Sequence, residues 1–162
     1  MVRCAPQPHW QVLDAGTGTG HTALSLAPAV RFVAAIDLTP EMIAEATKLG
    51  CERGVKNVGF GLADVAQMPF PDRCFELITC RRAAHHFLDI RRALKEMARV
   101  LRPAGRLVVD DRSVPEEDTV DRLMNEFDRL HDSVPCAAVS SLRVAFTARG
   151  DRLRGPHRGD VH

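Results

Sequence analysis

The sequence lacks an excess of charge of either sign. Its 22 Lys and Arg residues nearly balance 21 Asp and Glu residues, which leaves a formal net charge of +1 at pH 7. A domain that binds nucleic acid or an anionic membrane through its overall field is usually strongly basic. The charge balance therefore predicts neither kind of partner.

The sequence also lacks cysteine pairs, metal-ligand clusters and long apolar runs. Its five cysteines stand apart without C-x-x-C spacing, and no Cys/His group has zinc-ligand spacing. No run approaches the roughly 18 apolar residues of a transmembrane helix, and the first ten residues hold no apolar signal segment. We therefore predict a cytoplasmic protein with buried, reduced thiols, no metal site and no membrane span.

Short apolar runs alternate with segments of helical periodicity over most of the chain. The composition, 45% hydrophobic and 27% charged over 162 residues, is typical of one soluble globular domain. Strands are predicted at residues 11–16, 31–37, 58–64, 75–80 and 106–111. Strands that alternate with helices form a parallel sheet with helices on both faces. We therefore predict an α/β fold with a Rossmann-like, doubly wound, mainly parallel sheet.

Helix starts and apolar stripes mark the segments between these strands. A first helix is expected at 21–27. Thr39-Pro40-Glu41 has the hydroxyl cap, first-turn proline and acid of a second helix start, and Asp89 is placed to cap a third helix. The apolar stripes are Met42, Ile43, Ala46 and Leu49 for the second helix, Ile90, Leu94, Met97 and Leu101 for the third, and Val120, Leu123, Met124, Phe127 and Leu130 for a last one.

The composition changes after residue 132. Residues 133–162 are rich in Arg, Gly, Pro and Ala and show little periodicity, although SLRVAFTA at 141–148 is expected to pair as one strand at the sheet edge. We therefore divide the chain into a domain at 1–132 and an atypical tail at 133–162, most of which we expect to be poorly ordered.

Three acidic residues, Asp14, Asp37 and Asp64, lie at the predicted ends of successive strands, and the glycine-rich turn 16–20 (GTGTG) follows the first of them. Ligands of doubly wound sheets lie beyond the carboxyl ends of the strands, and glycine lets the backbone approach a ligand closely. The pattern predicts a nucleotide-like ligand at this rim. A tight turn without a ligand, Asp37 as a helix cap and Asp64 as a turn residue are the structural alternatives.

A dinucleotide site is a competing interpretation of the same turn. Gly18, Gly20 and Ala23 satisfy G-x-G-x-x-G/A, and Asp37 lies at about the distance expected for a ribose carboxylate. An NAD-dependent oxidoreductase therefore stays open on this turn alone.

The order of the longer segments separates the two interpretations. VLDAGTGTG, AAIDLTPEM, GLADVAQMPFPD, FELITCRRAAHHF and ALKEMARVLRPAGRLVVDD follow one another along the chain. Together they resemble the class I S-adenosylmethionine-dependent methyltransferases, in particular the small-molecule enzymes of the ubiquinone/menaquinone-biosynthesis type (methyltransferase type 11). The resemblance covers residues 11 to about 132. It implies an S-adenosylmethionine-binding methyltransferase domain at 1–132 that acts on a small-molecule acceptor.

The resemblance also implies a role for each residue at the rim. The glycines would line the methionine and ribose of S-adenosyl-L-methionine, and Asp14 would support the turn and the ligand's ammonium group. Asp37 would accept from both ribose hydroxyls, and Asp64 from the adenine amino group. The full set implied for the cofactor is Asp14, Gly16, Thr17, Gly18, Gly20, Asp37, Leu38, Met42, Ala63, Asp64, Val65, Cys80 and Arg81.

The segment after the fourth strand, CRRAAHHF at 80–87, runs beside the transferred methyl in the resembled family. His86 is expected to face the substrate as a base or hydrogen-bond donor, although a structural histidine bonded to backbone stays an alternative. Arg81 is expected to reach the methionine carboxylate. Arg82 stands where family members usually carry an apolar residue.

The resemblance is incomplete at both ends of the sequence. Family members carry helices before the first strand and two further strands after the last helix. We expect this chain to lack part of those C-terminal strands and to expose the sheet edge beside the fifth strand. A truncated cofactor-binding domain without catalysis is therefore an alternative to an active enzyme.

Overall fold

The computed structural model describes residues 6–110 and the backbone of residues 143–145. The strands are β1 (Gln11–Ala15), β2 (Phe32–Asp37), β3 (Val58–Leu62), β4 (Phe75–Arg81), β5 (Leu101–Asp110) and β6 (Arg143–Ala145). They form one sheet in the order β3-β2-β1-β4-β5-β6. The first five strands are parallel, and β6 runs antiparallel to β5. The predicted fold class is confirmed.

Within residues 6–110, three α-helices cover the two faces of this sheet: α1 (His21–Leu26), α2 (Pro40–Glu52) and α3 (Ile90–Val100). Residues of β1 alternate between the faces, as the two-residue repeat of a strand requires. Leu13 packs in a core with Leu94 and Met97 of α3, whereas Val12 packs in a second core with Ala23 of α1. Burial on both faces explains why these strands read as continuous apolar runs.

The start of α2 differs from the prediction. Thr39 occupies the capping position, but its side chain makes no capping hydrogen bond; its backbone N–H instead donates to Asp37 Oδ1 at 3.0 Å. Within the predicted stripe, Ala46 is buried while Met42 is 40% exposed. The first turn of α2 lies beside a cavity described below, and this position leaves Met42 uncovered.

The strand β5 begins earlier than predicted and contains an irregularity. Phe75 pairs with Leu101 and Leu77 pairs with Arg106, so residues 102–105 bulge out of the β4–β5 ladder. Ala104 has a φ of 64°. Residues 102–105 are therefore a bulge inside the strand, which is the usual result of extra residues on one side of a ladder.

The sheet edge beside β5 is paired over three residues. Asp110 pairs with Arg143, Val109 with Val144 and Val108 with Ala145. This pairing corrects the expected exposed edge at these positions and confirms one strand within 141–148. The predicted helix marked by Val120 to Leu130 and the rest of the tail lie outside the described residues.

The cysteines differ in exposure. Cys80 is buried, Cys74 is half-buried and Cys51 is exposed, so the prediction of buried thiols is wrong for Cys51. Cys4 and Cys136 lie outside the described residues. No helix in the described part of the chain combines the length and apolarity needed to cross a membrane. Residues 6–110 hold no group of three or more His, Cys, Asp or Glu side chains that could bind a metal ion.

Candidate functional site

A cavity of about 710 Å³ opens over the carboxyl ends of the parallel strands. The strand order reverses between β1 and β4, which is where doubly wound sheets bind ligands. One group of lining residues comes from the first three strand ends: Gly16, Gly18, Asp37, Leu38, Thr39, Met42, Asp64, Val65 and Ala66. The second group comes from the segment after β4 and from α3: Arg82, Ala83, His86, Phe87, Leu88, Asp89, Arg92 and Ala93.

The glycine-rich turn requires glycine for two different reasons. Gly16 and Gly18 have φ values of 70° and 54°, in the left-handed region that other residues seldom adopt. A Cβ on Gly16 would lie 2.5 Å from the Cβ of Ala83, whereas a Cβ on Gly18 would meet no atom within 4 Å. Gly16 thus lets the chain after β4 approach β1, and Gly18 keeps the cavity open.

Asp37 has a carboxylate whose orientation is fixed by two backbone donors. Its Oδ2 accepts from the Gly18 N–H at 2.8 Å, and its Oδ1 accepts from the Thr39 N–H at 3.0 Å. Each carboxylate oxygen has two acceptor positions, so both oxygens keep capacity for a ligand. Asp37 can therefore take a pair of hydroxyl donors without losing the bonds that orient it.

Asp64 and two apolar side chains complete the end of the cavity that the strand termini form. Asp64 is exposed, and its Oδ1 accepts from the Ala66 N–H at 2.8 Å. Val65 is buried beside it. Leu38 is 63% exposed and Met42 40% exposed, and both line the cavity. Two exposed apolar side chains at a cavity wall offer a surface to a flat ring.

Asp14 lies behind the lining instead of within it. It is 1% exposed, and its two oxygens accept from Thr79 Oγ1 and Thr17 Oγ1, each at 2.6 Å. Burial raises the pKa of Asp14, and the two hydroxyl donors and the Ala23 N–H partly oppose this. Asp14 thus supports the turn by tying β1, α1 and β4 together, and its contact with a ligand's ammonium group stays a prediction.

Five other predicted cofactor residues also lie away from the cavity, for identifiable reasons. A Cβ on Gly20 would meet Phe60 at 2.8 Å, so its small size serves packing. Cys80 and Ala63 pack in or against the α3-side core. The hydroxyl of Thr17 donates its hydrogen bond to Asp14. The Nε of Arg81 lies 3.5 Å from Asp110 Oδ2, which directs this side chain to β5 instead of to a ligand carboxylate.

The second group of lining residues was largely missed from the sequence. Ala83, Phe87 and Ala93 give this end an apolar wall, and Leu88 is fully exposed at its rim. Asp89 confirms the predicted helix cap, because its Oδ1 accepts from the Arg92 N–H at 3.0 Å. This cap was the sequence feature that could have identified these lining residues, since it places the first turn of α3 directly after CRRAAHHF.

His86 lines this end of the cavity and is exposed, as is its neighbour His85. Their ring centroids lie 3.8 Å apart. The backbone N–H of His86 donates to the Ala83 carbonyl at 2.9 Å. The backbone therefore fixes the turn, and the imidazole is left facing the cavity.

Comparisons with known proteins agree on one family. A family model described as "Methyltransferase domain" matches residues 13–109. The chain is 45% identical over 140 residues to an uncharacterized methyltransferase, YcgJ, of Bacillus subtilis, with 85% of this chain and 55% of that protein covered. It is 43% identical over 102 residues to a demethylmenaquinone methyltransferase of Thermus thermophilus, with 61% of this chain and 46% of that protein covered.

A solved structure supports the same relationship. The crystal structure of the Bacillus subtilis YcgJ protein matches with a TM-score of 0.68 and 43% identity, over 76% of this chain and 53% of that one. The chain thus spans about half the length of the relatives it matches.

Proposed function

Because this chain belongs to the methyltransferase domain family, we propose that it binds S-adenosyl-L-methionine in the cavity over the strand ends and supports methyl transfer to a small-molecule acceptor. The relatives' names supply the reaction class, and one of them names a demethylmenaquinone acceptor for itself. The whole protein's acceptor is proposed here only as a small molecule.

The lining residues fit the nucleoside half of this cofactor. Asp37 is oriented to accept from the two ribose hydroxyls, and Leu38 and Met42 offer an apolar wall for the adenine ring. Asp64 is placed to accept from the exocyclic amine, with the Val65 N–H as donor to a ring nitrogen. The volume of about 710 Å³ lies within the usual range of small-molecule sites.

The single observation that carries the proposal is the Asp37 carboxylate. Its two oxygens are held by the glycine turn and by the start of α2, at the rim of the cavity. A carboxylate held in a fixed orientation suits a vicinal diol, because both hydroxyls of the diol can donate hydrogen bonds to it. The same feature also suits the ribose of NAD, so the ligand must be tested directly.

The protein's chemical task in this reaction is positioning. When bound, S-adenosyl-L-methionine would supply an activated methyl on its sulfonium: the acceptor atom would form a bond to this methyl as the S–methyl bond breaks, with S-adenosyl-L-homocysteine as the leaving group. The cavity wall after β4 would hold that atom at about 3 Å from the methyl and exclude water. His86 is the residue on this wall that we propose faces the acceptor and receives its proton where the acceptor carries one.

Calorimetric titration tests the proposal. Wild type is expected to release or absorb heat with S-adenosyl-L-methionine and S-adenosyl-L-homocysteine but not with NAD. Asp37→Ala should bind at least about tenfold more weakly, while Glu52→Gln, an exposed change at the end of α2, should match wild type. Binding of NAD without binding of S-adenosyl-L-methionine would refute the proposal.

A further inference from the structure

Arg82 has a strained backbone at the edge of the cavity. Its φ is 54°, a conformation that costs a non-glycine residue about 1 kcal/mol or more. Its backbone N–H donates to the Asp110 carbonyl at 2.6 Å, which holds the chain as it leaves β4. Within the described part of the chain, the guanidinium of Arg82 forms no hydrogen bond or salt bridge, although it lines the cavity.

Arg92 lines the same end of the cavity from the first turn of α3. Its guanidinium has one long contact, from Nη2 to Gln67 Oε1 at 3.5 Å, and this is too long to satisfy its five donors. Asp89 is the acidic residue that lines this wall, and it caps the Arg92 backbone N–H. Glu96, one turn further along α3, interacts electrostatically with Arg92 but is bonded to Arg99. The positive charge of the two arginines therefore exceeds the negative charge of the acidic residue that lines this wall.

The charge of the cavity is thus divided between its ends. Asp37 and Asp64 are among the lining residues at the strand termini, while Arg82, Arg92 and one acid, Asp89, line the wall formed by the segment after β4 and by α3. If S-adenosyl-L-methionine binds in this cavity, its sulfonium would add positive charge near the two arginines, and a carboxylate, either the cofactor's own or one on the second reactant, would offset the repulsion. An anionic group on the second reactant removes that repulsion and pairs with both guanidinium groups.

We propose that Arg82 and Arg92 form an anion-binding subsite that selects a methyl acceptor bearing a carboxylate or a similar anionic group next to an apolar or aromatic body. The apolar body would lie against Phe87 and Ala93, which line the same wall. This inference rests on the proposed function for its interpretation as an acceptor site, but the anion preference itself is measurable without cofactor.

The probes are 4-hydroxybenzoate and its neutral counterpart 4-hydroxybenzamide. Their affinities are measured by calorimetry on the full chain, both alone and with saturating S-adenosyl-L-homocysteine. Wild type should prefer the anion by about five- to tenfold, and Arg82→Gln and Arg92→Gln should each remove most of that preference. Lys95→Gln, an exposed change on α3 that removes the same charge outside the cavity wall, should retain it. Thermal melting confirms that each variant folds.

A second titration decides which carboxylate the arginines bind. Arg82→Gln should leave the affinity for S-adenosyl-L-homocysteine unchanged if the subsite serves the acceptor. Weaker binding of S-adenosyl-L-homocysteine together with unchanged binding of 5′-methylthioadenosine, which lacks the amino-acid carboxylate, would overturn the proposal. Equal affinities for the two probes in wild type, or a preference that survives in both variants, would also overturn it. Absence of cofactor binding with the anion preference intact would instead refute the proposed function and support the subsite.

Discussion

The backbone N–H of Gly18 donates to Asp37 Oδ2 at 2.8 Å, and this bond ties the turn after β1 to the end of β2. Gly18 has a φ of 54°, a left-handed conformation that glycine adopts without the steric cost of a Cβ. The bond orients the carboxylate before a ligand arrives. Preorganisation of this kind lowers the entropic cost of binding.

The orientation of Asp37 leads to a prediction about ribose. Adenosine should bind wild type more tightly than 2′-deoxyadenosine, by about tenfold, because a hydrogen bond to a charged group contributes about 1.5–3 kcal/mol. In Asp37→Ala the two nucleosides should bind equally. Calorimetry of both nucleosides with both proteins completes a double-mutant cycle. The cycle gives the coupling energy between the 2′-hydroxyl and the Asp37 carboxylate. A preference for adenosine that persists in the variant would mean that another group holds the 2′-hydroxyl.

The close approach of Gly16 to Ala83 gives a prediction about stability. Gly16→Ala should lower the free energy of unfolding by about 2–4 kcal/mol, because it adds both the left-handed φ cost and a 2.5 Å contact with the Ala83 Cβ. The double variant Gly16→Ala with Ala83→Gly should recover the part of this loss that comes from the steric contact. Gly18→Ala, whose Cβ would meet open space, should incur only the φ cost. Urea unfolding measures all four proteins, and no recovery in the double variant would contradict the steric explanation.

The sheet and the end of the cavity that the strand termini form were predictable, because both follow from local sequence patterns. Buried parallel strands produce apolar runs, and the residue after each run lies at a common rim, so Asp37 and Asp64 could be placed together without coordinates. The position of Asp14 also had a signal. Residues of one strand alternate between faces, and Asp14 shares the face of Val12, which packs toward α1.

The cavity wall formed by the segment after β4 and by α3 could not be predicted in the same way. Arg82 and Arg92 are brought to one wall by the turn after β4 and by the packing of α3 against the sheet, and no periodicity relates two such positions. The apolar periodicity of the sequence also does not predict that Leu88 and Met42 are exposed, because it shows which side chains are apolar and not which neighbours cover them. The side chain of Thr39 makes no capping bond although the residue type and position predict one, and nothing in the structure explains its absence.

Burial of Asp14 predicts an unusual dependence of stability on pH. Desolvation raises the pKa of Asp14 in the folded state above the unfolded value of about 3.9. The folded state therefore binds the proton more tightly, and the contribution of Asp14 to stability falls as pH rises from about 4 through its raised pKa. Asp14→Asn does not titrate, so the stability of wild type relative to the variant should be greatest in acid and decrease over this range.

Urea unfolding of both proteins in steps from pH 4 to pH 8 provides the measurement, since other titrations cancel in the difference. A difference that stays constant, or that grows with pH, would show that the hydroxyls of Thr17 and Thr79 outweigh burial and that the pKa is not raised.

The contribution of Glu96 to stability should depend on pH in the opposite direction to that of Asp14. Arg99 donates to both oxygens of Glu96 at 2.8 Å, to Asp72 at 2.8 Å and to the carbonyls of Met68 and Phe70. This bonding lowers the pKa of Glu96. Its contribution to stability is therefore present above the unfolded value of about 4.3 and is lost as pH falls through the folded pKa.

Glu96→Gln should cost about 1–2 kcal/mol at pH 7 and progressively less below pH 4. The matched control is Glu52→Gln, which should cost nothing measurable at either pH because its side chain is exposed. Unfolding by urea at pH 7 and pH 3.5 tests both variants. An equal cost for Glu96→Gln at the two pH values would show that the ion pair does not stabilise the loop at 68–72.

The role of His86 is decided by separating folding from binding. Its imidazole is exposed and its turn is held by the backbone bond to Ala83, so His86→Gln should change the free energy of unfolding by less than about 0.5 kcal/mol. The same variant should weaken 4-hydroxybenzoate binding in the S-adenosyl-L-homocysteine complex by about threefold, because a side chain that faces the acceptor loses a contact. His85→Gln, outside the cavity wall, should leave that affinity unchanged. If His86→Gln instead destabilises the fold and leaves the probe affinity intact, His86 is structural, and acceptor deprotonation must be assigned to another group or to the acceptor's own ionised form.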